Sequence, residues 1–440
     1  MFKGACETRT GYGQGEIDGA TRECCKRVGV RPMPACRYLP SSTCAAPQFA
    51  VGTGASGVSA RQGGVYAAGA AGTLNGSSKT FLSETEMDAT ARIKTIVCFA
   101  ALLAVALLAG ILAWHIPFML WDHLDLVPMY QGWMAGHLEQ TIFWKLHGGH
   151  WHTAAYILLL PSAWLTQGHP WLDCLLSWAF LVACAAMLLF LWIRTQSLRN
   201  SGDLGFALLI AFLALYPGHF FNLQFGWQVA VFECLFGVTT TIVALSAPRL
   251  NWMHNLLAIA ATILALLSFA TAYALFVVAF VMIVSRTELA WRTRLFYLAP
   301  WFALGLAVYH FNQQDGGVFP PVQPWRLIVY TFYYLGAGIA HFAPAAAPWL
   351  TGFALTVIGL AASRIRDFRA AMPWVALLLF AAVGAALTGM GRGFTEDHAT
   401  ALIQRYVSFS ILFWIGWLGF LARTREDGVG WHTGSLAGLI

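Results

Sequence analysis

The chain has 440 residues, 58% of them hydrophobic and only 10% charged, with a mean hydropathy of +0.63 and a formal net charge of +6. Soluble domains carry about a quarter charged residues, so a water-exposed globular fold is excluded and lipid is the solvent this surface fits. The basic residues sit in short clusters between apolar segments, which reads as a topology signal and not as a nucleic-acid-binding surface.

Residues 1–90 are rich in Gly, Ala, Ser and Thr, show no sustained period and hold no apolar run of the signal-peptide kind. Such a segment buries too little surface to offset its ordering entropy, so a disordered tail is expected. Cys6, Cys24, Cys25, Cys36 and Cys44 lie there at irregular spacing that matches no zinc pattern. Met87 precedes a short polar lead, Arg92, Lys94 and a long apolar run, and translation is expected to begin at or near it.

From 91 to 424 the sequence is punctuated apolar helix. A span needs about 20 apolar residues. Twelve candidate segments run 95–118, 152–166, 170–193, 203–217, 225–246, 254–269, 271–285, 294–310, 326–343, 347–363, 372–390 and 405–422. The runs are too long and too uniformly apolar for the alternation of a barrel. The predicted fold is all-α, a polytopic transmembrane helical bundle of about 10–12 spans, closed by a short polar cytoplasmic tail, 425–440.

Arg92 and Lys94 put the N-terminus on the inner side, and Arg286/Arg292/Arg294, Arg364/Arg366/Arg369 and Arg423/Arg425 mark further inner loops. Twelve full crossings do not satisfy all of these clusters, and Arg194 with Arg199 breaks simple alternation. At least one segment is therefore expected to be re-entrant, with 217–230 and 326–346 the candidates.

Asp122 and Asp125, three apart in the first outer loop, share a face in a helical turn, so both carboxylates could address one metal or one substrate hydroxyl. They read equally well as capping and solvated loop acids. His147, His150 and His152 stand in a His-Gly-Gly-His-Trp-His run before an apolar segment; they fit metal ligands, interfacial hydrogen-bonding groups or donors to a sugar or phosphate. Asp122, Asp125 and His150 are the candidate ligands of a divalent metal ion, and the cofactor is otherwise left open. Asn222, Gln224 and Gln228 fit interhelical hydrogen bonding, with Gln224 and Gln228 expected on one helix face and counted, with Tyr406, among the candidate substrate-binding residues. Glu233, an acid inside an apolar run, is a functional candidate by default. Arg392 and Arg405, beside Tyr406, bracket a second outer loop against the positive-inside trend. They suit a lipid phosphate or ion pairs with Glu396 and Asp397.

The order of these features resembles the GT-C superfamily of integral-membrane glycosyltransferases, in particular its poorly characterised bacterial members. The likeness rests on Trp121-Asp122-His123-Leu124-Asp125 after the first span, the polar cluster His147 to His152, and a late Gly391-Arg392…Arg405-Tyr406 element. It covers 95–422 in architecture and only these short pieces in motif. The resemblance implies a polyprenyl-phosphate sugar donor, membrane lipid as a partner, and catalysis on the outer face of a bacterial inner membrane. It further implies Asp122 as general base or metal ligand, Asp125 as its partner, and Arg392 and Arg405 on the donor phosphate. The acids here are not adjacent, and the histidine cluster stands where an Asn-Glu-His-Arg kind of sequence is expected. A multi-pass transporter or lipid flippase, which would use Glu233 and the 222–228 patch, and a non-catalytic membrane scaffold are the rival readings.

Overall fold

The computed structural model describes residues 88–144, 146, 151–196, 198, 200–313, 323–392 and 398–426. The tail up to Met87, the C-terminal residues from 427, and the candidates His147, His150, Arg199, Glu396 and Asp397 lie outside the described residues. Everything described belongs to one unit, Thr80–Ile440.

The chain is a polytopic α-helical membrane protein, as expected. Its helices are α1 Ala89–Trp114, α2 Leu126–Met134, α3 Thr153–Leu165, α4 Trp171–Thr195, α5 Ser201–Ala214, α6 Phe220–Gln224 and α7 Val229–Leu245. They continue as α8 Trp252–Leu266, α9 Ala274–Val284, α10 Trp291–Gln313, α11 Pro324–Gly336, α12 Ala347–Ala362, α13 Phe368–Arg392 and α14 Gln404–Glu426. Polar caps start several of them: Asp88 accepts from Thr90 N at 2.7 Å, Asn251 from His254 N at 3.0 Å, and Asn200 and Asp203 form a reciprocal capping box.

Seven helical stretches among the described residues are long and apolar enough to cross a bilayer: Ala89–Trp114, Trp171–Thr195, Ser201–Gln224, Gly226–Leu245, Pro344–Ala362, Phe368–Arg392 and Gln404–Arg425. α10, with 23 residues, has the length but carries Arg292, Arg294 and His310 at its ends. Lipid tails offer helices no hydrophobic drive to associate, so close packing must hold the bundle. The spans ending at Leu245 and Arg425 are 83% buried and form its centre, whereas α1 and the span ending at Ala362 are 22% buried and face lipid. Gly416 and Gly419 let α14 lie on the Trp374 segment of α13, where a Cβ at Gly419 would collide with the indole.

Besides the 13-residue α11, three apolar segments expected among the spans are too short to cross. α3 has 13 residues, α8 has 15 and α9 has 11, whereas about 30 Å of hydrocarbon takes about 20 residues at 1.5 Å each. α8 and α9 instead form a re-entrant hairpin turning at Ser268–Tyr273. Both of its outer ends lie together, because Arg286 after α9 donates to Leu245 O and, at 2.8 Å, to Ala247 O just before α8. α3 enters from the other side, and Ala154 N donates to Leu267 O at 3.1 Å where the two elements meet. Because α3 does not cross, α4 returns the chain to the side of Arg92, and Arg194 no longer breaks the alternation. Arg92 Nη1 reaches Leu198 O at 2.6 Å and Arg425 Nη2 reaches Asn200 Oδ1 at 3.4 Å. The connection after Arg194 therefore sits at the same end of the bundle as both ends of the described helical body. The suspected region 217–230 holds the broken outer end of one crossing, Ser201–Gln224, and the turn at Phe225 into the next, Gly226–Leu245, whereas α11 does stop short, at Gly336, where a Cβ would strike Ala347.

Candidate functional site

After α1 the chain runs through extended Leu120 into a 3₁₀ turn, Trp121–Asp125, that leads directly into α2. Leu126 and Met129 bury fully and pin this segment to Tyr156, Leu159 and Trp227. His123, 0% exposed, drops into a slot where its Nε2 lies 3.4 Å from Asp173 Oδ2, between the rings of Phe225 and Trp227. The separation suits an ion pair, but the alignment is not that of a hydrogen bond. The slot exists because residue 226 is Gly: a Cβ there would stand 2.9 Å from the Cβ atoms of Asp173 and Pro170. With His123 fixed inward, its neighbour Asp122 is left half-exposed, and Asp122 Oδ2 lies 4.0 Å from Arg405 Nη1 at the start of α14.

Buried polar contacts hold that end of α14. Asn222 Nδ2 donates to Gln404 O at 2.8 Å and to Ser408 Oγ at 2.9 Å, His219 Nδ1 lies 2.9 Å from Ser408 Oγ, and Gln404 Nε2 lies 3.1 Å from His341 Nε2. These are the helix-to-helix bonds expected of Asn222. Tyr406 is buried with its ring tilted against Tyr334 at 5.3 Å, and Tyr330 lies a further 6.5 Å along. The Arg392 guanidinium is within hydrogen-bonding reach of the Tyr406 hydroxyl, and the charges of Arg392 and Arg405 both act on that phenol. The end of α13 and the start of α14 thus bring both arginines to one tyrosine, and one of the two also meets Asp122.

Asp125 is exposed, and it and Asp122 both lie near enough to the buried Tyr156 for their charges to bear on its phenol. His152 is not interfacial. It is 3% exposed, in an aromatic nest 5.4 Å from Trp227, 6.2 Å from Tyr156 and 6.4 Å from Phe269, because α3 begins at the depth of the α8–α9 turn. Gln224 and Gln228 do not share a helix face: α6 ends at Gln224, Phe225 is extended, and Gln228 closes a separate 3₁₀ turn. Gln224 Nε2 donates to Trp114 O at 2.9 Å and ties down the end of α1, while Gln228 is buried. Glu233 is buried in α7. Among the described residues no group of three or more His, Cys, Asp or Glu gathers as a metal site, and His150 lies outside them.

His123, Asp173, Tyr156, Tyr330 and Tyr334 belong to this region and escaped the sequence reading. Asp173 carried a signal, an acid three residues after Pro170 in a predicted span; the tyrosines read as ordinary apolar-face residues. No family model matches the chain, and neither a curated protein nor a solved structure matches it.

Proposed function

We propose that this protein is a membrane glycosyltransferase of the GT-C type. In this reading it moves a sugar from a polyprenyl-phosphate donor to a hydroxyl of an envelope glycan, lipid or protein on the outer face of a bacterial inner membrane. The observation that carries the proposal is the meeting of Asp122 with Arg405 at 4.0 Å, with Arg392 beside the adjoining Tyr406. Lys and Arg favour the cytoplasmic side, and Arg92, Arg194, Arg286, Arg369 and Arg425 cluster at the far end of the bundle. That asymmetry supports an outward-facing Asp122.

The chemistry follows from the pair. With no donor bound, Arg405 and Asp122 balance one another across a separation too long for a tight charge-assisted bond. A donor phosphate offers Arg405 and Arg392 a better partner, and Asp122 is released to take a proton. The acceptor oxygen attacks the anomeric carbon, its proton passes to the Asp122 carboxylate, and the sugar–oxygen bond to the phosphate breaks. The bond's electrons remain on the leaving phosphate, whose growing charge the two guanidinium groups stabilise. A single displacement inverts the anomeric configuration.

The test is transfer by the full chain in nanodiscs containing a radiolabelled polyprenyl-phosphate sugar, with wild type compared to Asp122→Asn. Loss of the general base lowers turnover by about 10²–10⁴-fold; unchanged turnover ends the reading. One observation favours a transporter or lipid flippase instead. Short helices enter from both sides and meet at Ala154 and Leu267, and Glu233 lies buried with Oε2 lacking a hydrogen-bond partner. In that case Glu233→Gln abolishes transport and Asp122→Asn leaves it intact.

A further inference from the structure

At the opposite end of the bundle, about 35 Å along α13 from Arg392 by helical rise, a cavity of about 350 Å³ opens between the ends of α4, α7, α9 and α13. Its polar lining includes Arg194, Ser246, Ser285, Arg286, Asp367 and Arg369. The carbonyls that end α7 and the turn after it draw the three guanidinium groups in. Arg286 donates to Leu245 O and Ala247 O, Arg194 to Ser246 O at 3.3 Å, and Arg369 to Pro248 O at 2.8 Å. Cations at a helix C-terminus are favourable, and this capping accounts for the geometry.

The capping leaves the charge unaccounted for. Carbonyl oxygens satisfy N–H groups and neutralise nothing. Glu288 bridges Arg286 at 3.3 Å and Arg369 at 2.9 Å, while Asp367 accepts from the backbone N–H groups of Arg369 and Ala370. Among the described residues Arg194 has a carbonyl and the Phe190 ring at 5.2 Å, and no carboxylate. Burial pulls the Arg286 guanidinium below its ordinary value; Glu288 opposes this, and Arg369 and Arg194 push it further down. Three cations thus face the carboxylates of Glu288 and Asp367, one positive charge in excess, around a cavity with room for an anion.

We propose that this cavity binds the phosphate of an anionic phospholipid. A lipid is favoured over free phosphate by what surrounds the opening: Phe190 (49% exposed) and Ile193 on α4, Val284 on α9 and Phe368 on α13 are large exposed apolar side chains next to the polar lining. Phe190 lies 5.2 Å from the Arg194 guanidinium, and the others adjoin lining residues in the chain, so acyl chains find apolar side chains beside the headgroup. A basic pocket between helix ends is a recognised way to hold such headgroups. The proposal does not depend on the reading of the Asp122 end.

The experiment is native mass spectrometry of the full chain released from nanodiscs of phosphatidylglycerol and phosphatidylcholine in equal parts. Wild type retains one more phosphatidylglycerol than Arg194→Gln, and the control Arg249→Gln, at the same end but outside the lining, behaves as wild type. Titration of phosphatidylglycerol gives Arg194→Gln a Kd about fivefold weaker, the effect of one surface arginine on an anionic lipid. Arg369→Gln is the second variant and gives the same direction. Equal retention by wild type and both variants overturns the proposal. So does loss of retained lipid at millimolar inorganic phosphate together with equal retention of the two lipids, which would assign the site to free phosphate.

Discussion

Arg405 Nη1 and Asp122 Oδ2, from the last helix and the first loop, stand 4.0 Å apart with both side chains partly open to solvent. Exposed ion pairs contribute at most about 1 kcal/mol to stability. Asp122→Asn is therefore expected to leave thermal unfolding within a degree or two of wild type while removing transfer. A large fall in Tm would recast Asp122 as a structural residue.

The neighbouring pair behaves in the opposite way. His123 and Asp173 are fully buried, and removing one partner leaves the other without compensation. His123→Ala and Asp173→Asn are each expected to lose about 1–3 kcal/mol, read as a lower midpoint in thermal or denaturant unfolding in detergent. Wild-type stability in both variants would mean that the slot behind Gly226 has no part in holding the Asp122 turn.

Glycine substitutions separate packing from propensity. A Cβ at Gly237 of α7 would lie 2.5 Å from Ala261 O and 3.1 Å from Ala265 N, both backbone atoms of α8, whereas Gly359 of α12 has nothing within 4 Å. Gly237→Ala is expected to destabilise by about 1–3 kcal/mol as the hairpin is forced outward. Gly359→Ala is expected to be neutral or to gain up to about 1 kcal/mol from helix propensity. The reverse order would contradict the close seating of α8 on α7.

The re-entrant hairpin makes a labelling prediction. In a background with the native cysteines replaced, single cysteines at Asn251 and Thr287 react with an impermeant maleimide from the same side of the membrane. One at Asp125 reacts from the other side. Two full crossings would label Asn251 and Thr287 alike, so the turn decides: a cysteine at Ala270 is expected to stay unlabelled from either side, and its labelling from the Asp125 side would restore two full crossings and remove the hairpin.

The fold class was legible because apolar runs in a chain with so few charges admit helices alone. The crossings were less so. α8 and α9 are as apolar as any span, and composition does not reveal that Arg286 returns to the carbonyls before α8. The arginine clusters carried a contradiction for α3 and α11, which each change the side of everything after them by not crossing, but not for α8 and α9, which leave Arg286 on the same side whether they form a hairpin or two crossings. In the site, Asp122, Arg392, Arg405 and Tyr406 were readable as polar residues out of place in a membrane protein. Gln224 and Gln228 misled because periodicity assumes an unbroken helix, and Phe225 breaks it. His123 was hidden because nothing in the sequence of the turn distinguishes the histidine that buries from the aspartate that does not. The tyrosine ladder was hidden because Tyr330, Tyr334 and Tyr406 gain their meaning only from the arginines that α13 and α14 bring to them.

A double-mutant cycle on Asp122 and Arg405 tests the central claim most directly, with turnover measured in nanodiscs holding the polyprenyl-phosphate sugar. Groups acting as one unit give non-additive losses, so Asp122→Asn with Arg405→Gln is expected to be no slower than the worse single variant. Full additivity, or wild-type turnover in either single variant, would contradict a shared site.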